Sequence, residues 1–229
     1  MNLFGSRRSG EDNLNSMKRG LIIAFTGTDG SGKSTVIEEI TPWLEELNTE
    51  GVHYEHLRPN WLPPLVTIAG KPVKDTRSPV VDPHGQETSG FLGSLVRLCY
   101  YSLDYSVGYW LKTRKLSKKG AICLFDRYFY DILVDPRRMR IQLPEWILRK
   151  ILGLYPEPDL IICLGGDPET LYARKPETSL QEVNRQVVKL NELVVEEMRA
   201  SWVDTTQSLE GTIAEVREVI ENHANGQKI

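Results

Sequence analysis

Apolar residues come in two textures along this chain. Three short runs are nearly uninterrupted: Leu21-Ile22-Ile23-Ala24-Phe25, Ala121-Ile122-Cys123-Leu124-Phe125 and Leu160-Ile161-Ile162-Cys163-Leu164. Runs of this length with little polar alternation read as strands covered on both faces. Elsewhere apolar residues recur at helical spacing, as in Val36, Ile37, Ile40, Trp43 and Leu44, which marks the buried face of a helix. The pattern predicts strands at about 21–26, 52–57, 121–125, 160–164 and 201–203. It predicts one helix ending near 48 and others at about 90–117, 144–154, 168–174, 180–200 and 209–222. The 144–154 helix opens with a proline in its first turn, where the missing N–H does no harm. The stretch 58–88 is polar, with prolines at 59, 63, 64, 72, 79 and 83. A stretch that long without its own elements is expected to be a functional loop.

Strands separated by helices are joined by crossovers, which make a sheet parallel. The expected architecture is therefore α/β, a central parallel sheet flanked by helices in three layers. Ligands in such sheets bind beyond the carboxyl ends of the strands. The segments following strands one to four should converge there.

Composition adds limits. A chain of 229 residues suits one compact α/β domain, expected over 20–229, with 1–19 a polar, disordered tail lacking the apolar stretch of a signal peptide. Hydrophobic residues make up 40% and charged residues 26%, and the net charge is −3. That balance offers no broad basic field for nucleic acid or an anionic membrane. No apolar run reaches the ~18 residues of a membrane span. Cys99, Cys123 and Cys163 sit in apolar segments without a Cys-x-x-Cys pair, so they are expected to be buried free thiols in a cytoplasmic protein. His53, His56, His84 and His223 lack ligand-like spacing and receive no role.

The chemistry enters just after the first apolar run. Residues 27–34, Gly-Thr-Asp-Gly-Ser-Gly-Lys-Ser, fit the P-loop pattern G-x-x-x-x-G-K-[ST] between a strand and a helix. Its glycines let the backbone wrap phosphate oxygens, which face amide groups and a helix N-terminus. The expected nucleotide contacts are Gly27, Thr28, Asp29, Gly30, Ser31, Gly32, Lys33, Ser34 and Thr35. Lys33 would reach the β- and γ-phosphates of ATP, and Ser34 would meet Mg²⁺. The fold is thereby expected to be of the P-loop NTPase type. Asp126-Arg127-Tyr128 follows strand three, where an Asp commonly holds Mg²⁺ opposite the P-loop hydroxyl and an Arg can clamp a phosphate. Arg174-Lys175 closes a short helix begun by Asp167-Pro168-Glu169, and 174–183 is expected to form a lid over ATP. Arg137, Arg138 and Arg140 form a basic cluster, either an anion-binding patch or solvated surface. Lys112, Arg114, Lys115, Lys118 and Lys119 suit a helix C-terminus.

The P-loop run 25–35 resembles that of thymidylate kinases, as do Asp126-Arg127-Tyr128, Pro158-Asp159 leading into 160–164, Pro168-Glu169, Arg174, Val203-Asp204 and Gln207-Ser208-Leu209-Glu210. The resemblance spans about 20–222. It implies ATP-dependent phosphorylation of dTMP to dTDP, with Lys33, Arg127 and Arg174 on phosphoryl groups, and a homodimer. Gly30 in the P-loop and Arg174-Lys175 in the lid resemble the type that supplies its basic residue from the lid. The implied acceptor side is Arg58, Tyr105, Arg127 and Tyr128, with Tyr100, Tyr101 and Tyr109 sharing a core face with Tyr105. That side departs from the family. Arg-Glu-Pro-Gly-Gly becomes Leu57-Arg58-Pro59-Asn60-Trp61, a helical Asp-Arg becomes Asp104-Tyr105, and the Ser-Ser and Ala-Tyr-Gln after Asp-Arg-Tyr become Phe129-Tyr130-Asp131 through Asp135-Pro136. Two rival functions stay open. One is a kinase of a nucleoside or sugar hydroxyl, with Asp104, Asp126 or Asp131 as base. The other is a nucleotide-binding module without catalysis.

Overall fold

The computed structural model of the chain describes residues 20–48, 50–56, 62 and 90–226. The expectations for the tail 1–19, for Arg58 and for nearly all of the loop 58–88 lie outside these residues. Five strands form one sheet: β1 (Ile22–Gly27), β2 (Val52–His56), β3 (Ile122–Asp126), β4 (Leu160–Gly165) and β5 (Ala200–Asp204). Their order is β2-β3-β1-β4-β5 and every pairing is parallel. The register sets Asp126 beside both Phe25 and His56, and Gly27 beside Leu164. The last residues of β1, β2 and β3 therefore share one rim.

Alternation along the central strands sorts the core onto two faces, because successive side chains point to opposite sides. Ile23, Phe25, Leu124, Ile162 and Leu164 pack against α1 (Lys33–Leu47) and α8 (Leu209–Ala224), through Val36, Ile37, Ile40, Leu44, Val216 and Ile220. Ala24, Cys123, Phe125, Ile161 and Cys163 line the opposite face with Leu98 and Tyr105 of α2 (Phe91–Gly108) and Leu190 and Leu193 of α7 (Leu180–Glu196). The result is a three-layer α/β fold of the P-loop NTPase type. All residues of β1, β3 and β4 are buried, whereas the edge strands β2 and β5 are partly exposed. Uninterrupted apolar runs and covered strands thus coincide.

Several details differ from the pattern-based expectation. The helix expected over 90–117 contains a π-helical turn at Tyr109–Thr113 between α2 and α3 (Arg114–Lys118). After β3 the chain forms a single turn, α4 (Asp131–Val134), then reaches α5 (Glu145–Leu152). The helix expected to reach Ala200 ends at Glu196, because Ala200 pairs with Ile161 as the first residue of β5. Cys123 and Cys163 are buried free thiols as expected, but Cys99 is exposed. It follows the fully buried Leu98 on α2 and so projects from another side of the helix. No helix among the described residues is long and apolar enough to cross a membrane.

Candidate active site

The loop from β1 to α1 is shaped by three glycines with different duties. A Cβ on Gly27 would lie 2.3 Å from the Leu164 carbonyl oxygen, so the loop leaves the sheet only without a side chain there. Gly30 has φ +85, and a Cβ on it would sit 2.5 Å from the carbonyl oxygen of Leu171 in α6 (Pro168–Arg174). Gly32 has φ +72 with open space around it, so its requirement is conformational alone. α1 begins directly after Gly32, with no side-chain cap and no acidic residue in its first turn. By contrast Asp167, Ser179 and Ser208 cap α6, α7 and α8 through their side chains. The first amides of α1 therefore remain for an anion, which the helix dipole favours.

Lys33 lies under this loop. Its Nζ donates to the carbonyls of Gly27 at 2.7 Å and Thr28 at 2.8 Å, and to Ser31 Oγ at 3.3 Å. Burial pushes the ammonium down to about 7, helped by Arg127 and opposed by Asp29, Asp131 and Asp126. At the end of β3, Asp126 Oδ2 accepts from the Tyr54 hydroxyl at 3.2 Å, lies 3.2 Å from His56 Nδ1, and is 3.5 Å from Ser34 Oγ. Burial alone would raise this carboxyl; the His56 hydrogen bond with the Lys33 and Arg127 charges outweighs it and keeps the group low.

Arg127 follows in the left-handed region with φ 72, an uncommon conformation for a side-chain-bearing residue. Its amide donates to the Phe25 carbonyl at 2.8 Å. Its guanidinium bridges Asp29 at 2.8 Å and Asp131 at 3.0 Å, and Asp131 also accepts from the Tyr128 amide at 3.0 Å. Arg138 completes the cluster by bonding Asp29 and lying 3.5 Å from Asp135. The P-loop carboxylate is thus held between two guanidiniums from the segment after β3.

No family model matches the sequence. Among solved structures, a thymidylate kinase from Ehrlichia chaffeensis superposes with a TM-score of 0.60 at 14% identity, covering 88% of this chain and 99% of its own. A thymidylate kinase from Candida albicans gives 0.61 at 18% identity, covering 91% and 94% respectively. This chain has a thymidylate kinase-like fold.

Within the thymidylate kinase-like fold, the residues singled out by sequence separate into groups. Gly27, Thr28, Asp29, Gly30, Ser31, Gly32, Lys33, Ser34, Asp126 and Arg127 gather at the rim of β1 and β3. Thr35 is exposed on the first turn of α1. Arg174 lies at the end of α6 and donates to the Thr205 carbonyl at 2.7 Å, beyond the end of β5. The segment after α6 still approaches the P-loop, because the Lys175 Cβ would lie 3.4 Å from a Cβ on Gly30. Tyr105 and Tyr128 are core residues. Tyr105 is 1% exposed and meets Tyr128, Phe129 and Tyr155 edge-on, while the Tyr128 hydroxyl donates to the Pro156 carbonyl at 2.8 Å. Asp104 is also buried and accepts from the Leu62 amide at 2.6 Å.

The sequence pattern does not assign four of these pairings: Tyr54 and His56 on Asp126, Asp131 on Arg127, and Arg138 on Asp29, although Asp131 and Arg138 stand there as candidates for other roles. The usable signal for the first two is their i, i+2 placement at the carboxyl end of β2, which puts both on one side of the strand. A magnesium ion fits the residues present. Asp126 Oδ1 is buried with no hydrogen-bond partner, and the Ser34 hydroxyl stands beside the same carboxylate. Among the described residues no group of three His, Cys, Asp or Glu side chains could hold a metal. Asp126 and Ser34 would be the protein's share, with nucleotide phosphates supplying other oxygens.

Proposed function

We propose that this protein transfers the γ-phosphoryl group of Mg²⁺-bound ATP to a small-molecule acceptor. The observation that carries the proposal is Lys33 buried within a strand–loop–helix cradle, with Ser34 3.5 Å from the Asp126 carboxylate across the rim. The cation would draw phosphate charge out of the transition state and help orient the γ-phosphorus for in-line attack. Lys33 would neutralise charge on the transferring group, and the α1 amides would hold the phosphates. Arg127 would fix the acceptor side of the P-loop through Asp29. Arg174 and Lys175, at the end of α6, would close over the nucleotide. The acceptor oxygen bonds to the γ-phosphorus as the bond to the β–γ bridging oxygen breaks, and ADP leaves.

dTMP is the first acceptor to test, because the solved structures sharing this fold include two thymidylate kinases. A phosphate oxygen is already ionised and needs no base. A second reading, a hydroxyl acceptor, is favoured by the charge balance beside the P-loop. Arg127 and Arg138 face three carboxylates, Asp29, Asp131 and Asp135. That cluster carries no positive surplus for an acceptor dianion. ADP release should be measured with dTMP, other nucleoside monophosphates, nucleosides and sugars. Formation of dTDP at millimolar dTMP supports the first reading. Turnover only with a hydroxyl acceptor establishes the second. ADP binding without acceptor-dependent turnover on any of them would refute catalysis and leave a nucleotide-binding module.

A further inference from the structure

Asp126 is gripped by one oxygen only. Its Oδ2 takes the Tyr54 hydroxyl at 3.2 Å, His56 Nδ1 at 3.2 Å and the Ser34 hydroxyl at 3.5 Å. Its Oδ1 is buried and has no hydrogen-bond partner. Leaving a carboxylate oxygen buried and unpaired is costly unless something else meets it. An ionised carboxylate only accepts, so the phenol donates and the imidazole presents Nδ1–H. Tyr54 and His56 project from the same side of β2, and the β2–β3 register sets His56 directly beside Asp126. Two donors from β2 and one from α1 therefore converge on a single oxygen and fix the plane of the carboxylate.

We propose that Tyr54 and His56 are positioning residues that clamp Asp126 through Oδ2, so that Oδ1 is the oxygen kept for a divalent cation carried on a bound nucleoside di- or triphosphate. The inference rests on the phosphate-binding reading of the P-loop. It goes beyond that reading by assigning a role to β2, which contributes none of the motif residues. Partners behind a metal ligand commonly change metal affinity by ~10–100-fold when removed.

The test is ADP binding to the full chain by calorimetry, in Mg²⁺ and in EDTA, for wild type, the double variant Tyr54→Phe/His56→Ala, and Tyr54→Phe/His56→Asn. The double variant should bind ADP in EDTA within about twofold of wild type, because the phosphate cradle is untouched. The gain in affinity on adding Mg²⁺ should fall by about tenfold. Mn²⁺ bound in the ADP complex, read by electron paramagnetic resonance, should weaken in parallel. His56→Asn retains an N–H donor near the Nδ1 position and should recover much of the loss. An unchanged Mg²⁺ gain in the double variant overturns the inference while leaving the P-loop reading intact. An equal loss in EDTA and Mg²⁺ also overturns it, since it would mark a merely structural role. Failure of wild type to bind ADP in either condition removes the P-loop reading, and the inference with it.

Discussion

Lys33 carries a proton balance that nucleotide should change. Buried among its own loop carbonyls, with the Arg127 charge nearby, its ammonium is pushed down to about 7 from an ordinary value of 10.5. Phosphate oxygens favour the charged form and should raise that value again. At pH 8 the free protein then holds Lys33 largely neutral, and ADP binding should take up close to one proton. At pH 5.5 the lysine is already protonated and its uptake should vanish. Calorimetry in buffers of different ionisation enthalpy reads this directly, and a Lys33→Met variant should lose the pH 8 uptake. Equal uptake in that variant would assign the proton elsewhere. The same shift has a stability sign. Between about pH 7 and 10.5 the unfolded chain binds more protons at this site than the native one, so Lys33 makes stability rise with pH across that window, by at most about 1.4 kcal/mol per unit.

At this scale the sequence shows residues whose position along the chain gives them away. Lys33 and Ser34 belong to a spaced motif, and Asp126-Arg127 interrupts an apolar strand at its carboxyl end. Asp131 and Arg138 stand in the sequence only as a candidate base and as part of a basic cluster, and their pairing with Arg127 and Asp29 is not legible there. Arg138 reaches an Asp29 that is 109 residues earlier, and no local periodicity records such a contact. Tyr105 illustrates an ambiguity of the opposite kind. Its place on a tyrosine-rich helix suits either core or pocket, and packing against three aromatic rings places it in the core.

Among the elements, α6 and α7 bound the segment expected to act as a lid. Leu171 of α6 and Val183 and Val187 of α7 share a small apolar cluster with Tyr172 and Trp202. At the end of α6 and in the link to α7, Arg174, Lys175, Pro176, Glu177 and Ser179 are exposed. A segment with few apolar anchors between two anchored helices opens at low free energy. Amide exchange across 174–183 should therefore be fast without ligand and slow with an ATP–acceptor bisubstrate analogue. Identical exchange in the two states would rule out a closing lid. Element types are legible in the sequence where periodicity is strong, as in α1 and β4. The α7–β5 boundary is not, because Ala200 is compatible with a helix and is claimed for the strand by its pairing with Ile161. The π-helical turn at Tyr109–Thr113 leaves no mark either, since its composition is that of an ordinary helix.

Across the whole molecule, topology brings the candidate chemistry together. β1 and β3 are neighbours although about a hundred residues separate them, so the P-loop and Asp126 meet on one rim. Uninterrupted apolar runs alternating with helical segments make a parallel three-layer sheet legible in the sequence alone. The strand order is not legible there, because it depends on long-range pairing. The acceptor that the proposed transfer would use is a question for the departures after β3. The proposed role of the cradle around Lys33, phosphoryl transfer, can be tested whatever the acceptor. The most direct measurement is acceptor-dependent ADP formation from Mg²⁺–ATP by wild type and by Lys33→Ala. Turnover is expected in wild type with at least one acceptor of the panel, with a loss of ~10²-fold or more in the variant, whose circular dichroism spectrum and melting remain those of a folded protein. Near-normal turnover in folded Lys33→Ala would contradict that role.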